Sequence, residues 1–437
     1  MRLWLTKRVW KRLALALAIL LAVALVVNGA LAWRAEWQLE SRRDAIRAAG
    51  DPASIADLTP APIPDEENAA AILERIAPRL SEFSKDYARF FDTPIGQAYE
   101  QAQDRGAAAT PEQVFEIRLI LIKYEDVEEA LAEAAKCDKY ASRLDYSLNH
   151  TSFIEAIVQQ QGTVRTAGRF LAWRMEVLLA DGFHEDAIQN GISILRLARH
   201  YEKEPTVVPF LVAIAVRSLS VPQIYDALAA GPVSPELHAA LDEELALLDT
   251  PQRLVHAMKS ERAVSADWVD AHLGWFPLLP EALAWHLKSY QVGVLDAFEE
   301  YLQLVRMPLH EVRTKFGPAD SPTPPSGHGV MADLLMPALH AVFHANARSL
   351  ATSRSLRIYN ALRQYAEKHG REAKGLDELD LPAGATIDPY SGQPVKLEHT
   401  AFGWMVYSVM DNGVDDDGDF MGRKDYGVAP PKLRLTE

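Results

Sequence analysis

At 437 residues, 49% of them hydrophobic, the chain is long enough for two or three domains and has the composition of a folded protein. Its net charge of −15 argues against a nucleic-acid binder, because phosphate recognition needs a basic face. Cys137 is the one cysteine, which excludes an intramolecular disulfide and a cysteine-based zinc site and leaves stability to apolar burial.

Arg2, Lys7, Arg8, Lys11 and Arg12 crowd residues 1–12, which read as a cytoplasmic basic tail. The charge-free run Leu13–Trp33 follows; at ~1.5 Å per residue it is about 31 Å long, one hydrocarbon thickness. The basic flank keeps the N-terminus inside, so the rest of the chain lies across the membrane. The expected address is the bacterial cytoplasmic (inner) membrane, with one signal-anchor span and a periplasmic bulk. Ala30-Leu31-Ala32 leaves a cleaved signal peptide open as the other reading. Both readings export the domain.

Residues 34–64 read as a helical stalk and a proline-punctuated connector, Asp51 to Pro64. Trp33 and Trp37 fall where indoles settle at an interface. Residues 65–316 then read as helices almost throughout, a helical bundle or irregular α-solenoid. Asp65 opens the first helix with acids in its first turn. Thr110 caps another, with Val114, Ile117 and Leu121 at helical spacing. Helices are expected over about Ile154 to Ala180 and Glu185 to Tyr201, turned by Asp181-Gly182. This pair is similar to one tetratricopeptide-like hairpin, without a sustained repeat. Pro205 and Pro209 break the chain, LVAIAVRSLSVPQIYDAL reads as buried, and Ser234-Pro235 caps the next helix. Further helices are expected over about Pro251 to His272 and Pro280 to Leu304.

Residues 317–330, rich in proline, serine and glycine, read as a linker. Residues 331–437 form the C-terminal unit. Its long helix repeats Leu356, Tyr359, Leu362 and Tyr365 on one face and ends at Gly370. Pro394–His399 and Trp404–Val409 read as an antiparallel hairpin covered by that face. The fold class is therefore mainly α, with a transmembrane helix and a small C-terminal α/β module.

The order of elements from about Ala351 to Phe420 resembles the globular module of type II secretion pseudopilins. The helix ending at Gly370 is followed by Leu376 and Leu379. Asp388-Pro389-Tyr390-Ser391-Gly392-Gln393-Pro394 stands at that family's Asp-Pro turn, with one extra residue before the glycine. Trp404-Met405-Val406-Tyr407-Ser408 matches its strand ending Tyr-Ser, and Asp411-Asn412-Gly413 opens its acidic tail. No pseudopilin processing site precedes the apolar run, and about three hundred residues separate that run from the module, which argues against a pilus subunit. The whole arrangement, with PIPDEENAA early, also resembles exported proteins of environmental bacteria, a likeness that carries no activity.

Asp411, Asp415, Asp416, Asp417 and Asp419 supply the hard oxygens calcium prefers. The resemblance implies calcium there, since pseudopilin modules bind it in this tail; a solvated acidic loop is the other reading. The spacing is not that of an EF-hand, because Gly413 and Lys424 would hold its first and twelfth positions. His340 and His344 lie four apart on one helix, without the glutamate of a zinc protease. His184-Glu185 and His310-Glu311 each lack a second histidine. Cys137 lies near Lys136 and Lys139, which favour a thiolate, although a lone helical cysteine is ordinarily inert. Trp268, Trp275 and Trp285 can line a groove or pack in a core. No nucleophile elbow, P-loop or dinucleotide fingerprint occurs. The sequence points to a non-catalytic, membrane-anchored protein-interaction or scaffold protein. An envelope hydrolase with a site in the helical body, and an accessory part of a secretion or pilus-type machine, are the alternatives.

Overall fold

The computed structural model describes residues 7–268, 284–316, 327–420, 422 and 424–434. It is mainly helical, with one small antiparallel sheet near the C-terminus. The first helix, α1 (Lys7–Ala48), runs without a break through the apolar segment and the expected stalk. Its large apolar side chains from Trp10 to Val27 are exposed. From Asn28 onward one stripe of it turns inward, and Ala35, Leu39 and Ile46 are buried. The stalk is thus a packed helix. The connector that follows is also tied down: Asp51 pairs with Lys259 and Arg262, and Ile55 N donates to Asp267.

The body begins at α2 (Ala69–Phe91), four residues later than the acids at Asp65 suggest. Asp65–Glu67 form a single 3₁₀ turn. The true cap is Asn68, whose Oδ1 accepts from Ala70 N at 3.0 Å and from Ala141 N at 3.0 Å. Next come α3 (Pro94–Asp104), α4 (Pro111–Leu121) and α5 (Glu125–Lys136). Thr110 and Gln113 close the expected N-terminus of α4 as a capping box. The hairpin of α6 (His150–Ala180) and α7 (His184–Tyr201) turns at Gly182, whose φ of +82° suits glycine.

The apolar run after Pro205 is two helices, α8 (Val207–Ser218) and α9 (Val221–Ala230). Pro209 does not break the chain. It lies in the first turn of α8, where a missing N–H costs nothing. Then follow α10 (Pro235–Leu248), α11 (Gln252–Ala266), α12 (Ala284–Val305) and α13 (Leu309–Phe316). α11 ends at Ala266, where Asp267 turns the chain, short of the expected His272. Residues 269–272, the start of α12 at Pro280, and linker residues 317–326 lie outside the described residues. α12 lies along the inward stripe of α1: Arg42 pairs with Asp296 at 2.7 Å, Lys288 pairs with Glu36, and Trp285 Nε1 donates to Asn28 at 3.0 Å.

The long helix α14 (Val330–His369) ends at Gly370 with φ +66°, a left-handed cap. Leu356, Tyr359 and Leu362 are buried as the spacing predicts, and Tyr365 is half-buried. Strands β1 (Lys396–Thr400) and β2 (Gly403–Ser408) form the expected hairpin, paired from Lys396↔Tyr407 to Thr400↔Gly403. A third strand, β3 (Tyr426–Val428), adds to β2, and α15 (Pro431–Arg434) closes the described chain.

One apolar core unites these parts. It runs from Phe83, Trp173 and Tyr225 in the body to Leu356, Tyr359, Val406 and Val428 in the C-terminal unit. Four aromatic rings, of Phe83, Phe90, Phe170 and Trp173, meet edge-to-face inside it. Tyr225 stacks on Tyr359 at 4.0 Å between centroids, and its hydroxyl donates to Trp404 O at 2.7 Å. Arg357 pairs with Asp242 at 2.7 Å and Arg354 with Asp249 at 2.8 Å, fastening α14 to α10.

Candidate functional site

The acidic loop is built on a turn at Asp388. This carboxylate is almost wholly buried. Its Oδ1 accepts from Ser408 Oγ at 2.6 Å and Tyr390 N at 2.9 Å; its Oδ2 accepts from Ser391 Oγ at 2.9 Å and Val409 N at 3.2 Å. The Asp-Pro turn therefore holds the end of β2, and the loop starts from a fixed point.

A residue that the sequence reading missed organises the loop itself. Asp425 is fully buried, and its Oδ2 accepts from the backbone N–H of Asp416 (3.1 Å), Gly418 (2.9 Å) and Asp419 (3.2 Å). Burial raises its pKa against the pull of those three donors. Nothing in a lone aspartate before a three-residue strand announces such a role.

The five predicted aspartates do not converge on one point. Asp415 accepts from Tyr407 OH at 2.9 Å and pairs with Lys396 at 3.0 Å. Asp416 and Asp419 share Lys424, each at 3.6 Å. Asp411 Oδ1 lies 3.3 Å from His344 Nδ1. Asp417 is exposed, with a left-handed backbone at φ +56°. Among the described residues, no three carboxylate, imidazole or thiol groups stand together as a metal-binding set. Asp416 and Asp419 are the pair the fold brings together, and calcium there would have to displace Lys424.

His340 and His344 are both buried, with their Nε2 atoms 3.1 Å apart. One ring donates to the other, and burial lowers the pKa of His340. The loop and the histidine pair thus join through Asp411. His184 Nε2 is bonded to Pro232 O at 2.8 Å, and Glu185 accepts from Ser234 N at 2.6 Å, so both serve the α9–α10 turn. At Cys137 the neighbouring lysines do not favour a thiolate. Burial, with Glu133 and Asp138 nearby, raises its pKa. Of the three tryptophans, Trp268 lines a small cavity with Tyr290, Trp285 serves Asn28, and Trp275 lies outside the described residues.

The body carries buried ion clusters that no local motif announces. Glu202 is held by Arg217 and Arg253, and Glu244 by Arg199 at 2.6 Å and Arg196 at 3.4 Å. These pairs close on themselves. No family model matches the chain, and neither a curated protein nor a solved structure is significantly similar to it.

Proposed function

We propose that this chain is a non-catalytic exported protein, held by one uncleaved N-terminal span in the cytoplasmic membrane of a bacterium. The helical body and the C-terminal unit then stand on the periplasmic side and offer a docking surface to a protein partner. The observation that carries this reading is α1. Its first half exposes large apolar side chains throughout, and its second half packs into the body without a break. Exposed leucine, isoleucine and valine on a helix of that length have a natural solvent in lipid. The other apolar stretch long enough to span, Val207–Ala230, is half-buried and belongs to the core. Retention of the span is supported by Asn28, which precedes the alternative cleavage site and is bonded by Trp285 of the body.

A protein partner is supported by Phe115 and Leu119 of α4 and Ile122 just beyond its end, exposed at i, i+4 and i+7. That spacing makes one apolar ridge, the kind of surface a helical or grooved partner covers. The pseudopilin-like reading of the C-terminal unit rests on its order of helix, Asp388 turn, antiparallel strands and acidic loop; we assign it a structural or docking role.

Topology is the direct test. A C-terminal alkaline phosphatase fusion to the full chain should be active in a bacterial host, and a cytoplasm-only fluorescent reporter at the same place should be dark. The reverse pattern would place the body in the cytoplasm and remove the reading.

A further inference from the structure

Two glutamates follow α7, two residues apart, and meet opposite surroundings. Glu202 is 4% exposed and lies between two arginines. Glu204 is 2% exposed, and its oxygens accept from Tyr140 OH at 2.5 Å and Ser142 Oγ at 2.6 Å. No lysine, arginine or histidine among the described residues reaches it. A carboxylate taken out of water with hydroxyl donors alone is poorly compensated; a cation is what completes it.

Beside Glu204 is a cavity of about 340 Å³, within the ~300–1,000 Å³ range of small-ligand pockets. Tyr201, 1% exposed, stands on its wall, and its hydroxyl has no hydrogen-bond partner among the described residues. The cavity reaches solvent past the exposed Glu74 and Gln159. Arg143 also lines it, but its guanidinium is held by Asp65 and Glu74, each at 2.7 Å. The buried end of the cavity therefore holds one carboxyl without a counter-ion and one hydroxyl without a partner.

We propose that this cavity binds a small organic cation, a primary amine or guanidine, whose charged group pairs with Glu204 and donates to the Tyr201 hydroxyl. A neutral polyol satisfies the hydroxyl but leaves the carboxylate uncompensated. An anion meets Glu204 and Glu74. Burial raises the Glu204 pKa, and a cation paired with it would draw the value down again.

The test is isothermal titration calorimetry on the full chain in detergent, with 1,4-diaminobutane against the uncharged isostere 1,4-butanediol. The diamine should bind saturably and the diol should not. Glu204→Gln should weaken the diamine by roughly 30-fold or more, the scale of losing one partner of a buried charge pair. Tyr201→Phe, which keeps the charge and the ring, should weaken it by roughly fivefold, the scale of one hydrogen bond. Absence of diamine binding, equal binding of the diol, or full affinity in Glu204→Gln would each overturn the assignment. None of these outcomes bears on the membrane topology.

Discussion

Replacing Glu202 and Glu204 one at a time by glutamine should give opposite results, although the two lie side by side and are equally buried. Glutamine keeps the size and one acceptor and removes only the charge. At Glu202 the charge is what two arginines depend on: Arg217 is 2% exposed, and Arg253 donates its Nε to Glu202 at 2.6 Å. Without it Arg217 remains buried without its carboxylate, and the half-buried Arg253 keeps only the Leu248 carbonyl. Breaking a buried pair in this way costs about 3–5 kcal/mol. For a chain of 437 residues melting as one unit, ~2.1 cal/mol/K per residue converts that into a fall of about 3–5 °C. At Glu204 no cation is lost, so glutamine should be neutral or stabilising. The pH dependence separates the two further. Burial pushes the Glu202 carboxyl up, but Arg217 and Arg253 outweigh this and hold it below the usual range. Its contribution is present at neutral pH and is lost only as pH falls through that lowered value. Burial raises the Glu204 pKa, so the folded state binds its proton more tightly than the unfolded state does. Its cost is present at neutral pH and is relieved as pH falls through the raised value, so any advantage of Glu204→Gln should shrink on acidification. In melts of the full chain at pH 7 and pH 5, at one scan rate, the Glu202→Gln deficit should therefore stay constant while the Glu204→Gln difference shrinks. A Glu202→Gln melt within 1 °C of native, or equal losses for the two variants, would refute the reasoning.

Tyr407→Ala should cost about 3 kcal/mol or more, because the ring is buried and its hydroxyl holds Asp415; a loss under ~1 kcal/mol in a denaturant melt would mean that the sheet repacks around the gap. Lys424→Ala should free Asp416 and Asp419 from their shared cation, so that ~1 mM calcium raises the melting temperature more in the variant than in the native chain. Magnesium, which demands a stricter octahedron, should not reproduce the gain. Equal calcium increments in variant and native protein would show that the lysine does not compete with a metal there.

Much of the fold was legible where one signal dominates locally. The apolar run of α1, the capping box at Thr110 and the buried face of α14 each rest on neighbours in sequence. The hairpin was readable from two strand-like runs around a short turn, whereas β3 has three residues and no alternation to detect. The start of α2 was misplaced because acids at Asp65 suit a first turn, while the actual cap depends on Asn68 meeting Ala141, far along the chain. The same limit hid the shared core. Nothing near Arg354 or Arg357 announces Asp249 and Asp242, more than a hundred residues earlier. In the acidic loop the five aspartates were visible, but their separate partners and the hub at Asp425 were not. Glu204 was equally silent, because an unpaired carboxylate is recognisable only once its surroundings are known.

On the proposed reading, in which the first half of α1 spans a bilayer, the unbroken helix limits how far the body can stand from it. From Val27 to Ala48, at ~1.5 Å per residue, the helix rises only about 31 Å. It is clamped along that length by α12, so it forms a stiff arm without a flexible joint. A body carried in this way would explore a thin layer next to the lipid and keep one orientation within it. Partners embedded in, or resting on, the same membrane would then be met by a two-dimensional search. A rigid tether of matched reach raises the local concentration of such partners toward the millimolar scale. Weak contacts are sufficient in that regime, whereas a partner free in the surrounding fluid gains nothing from the arm.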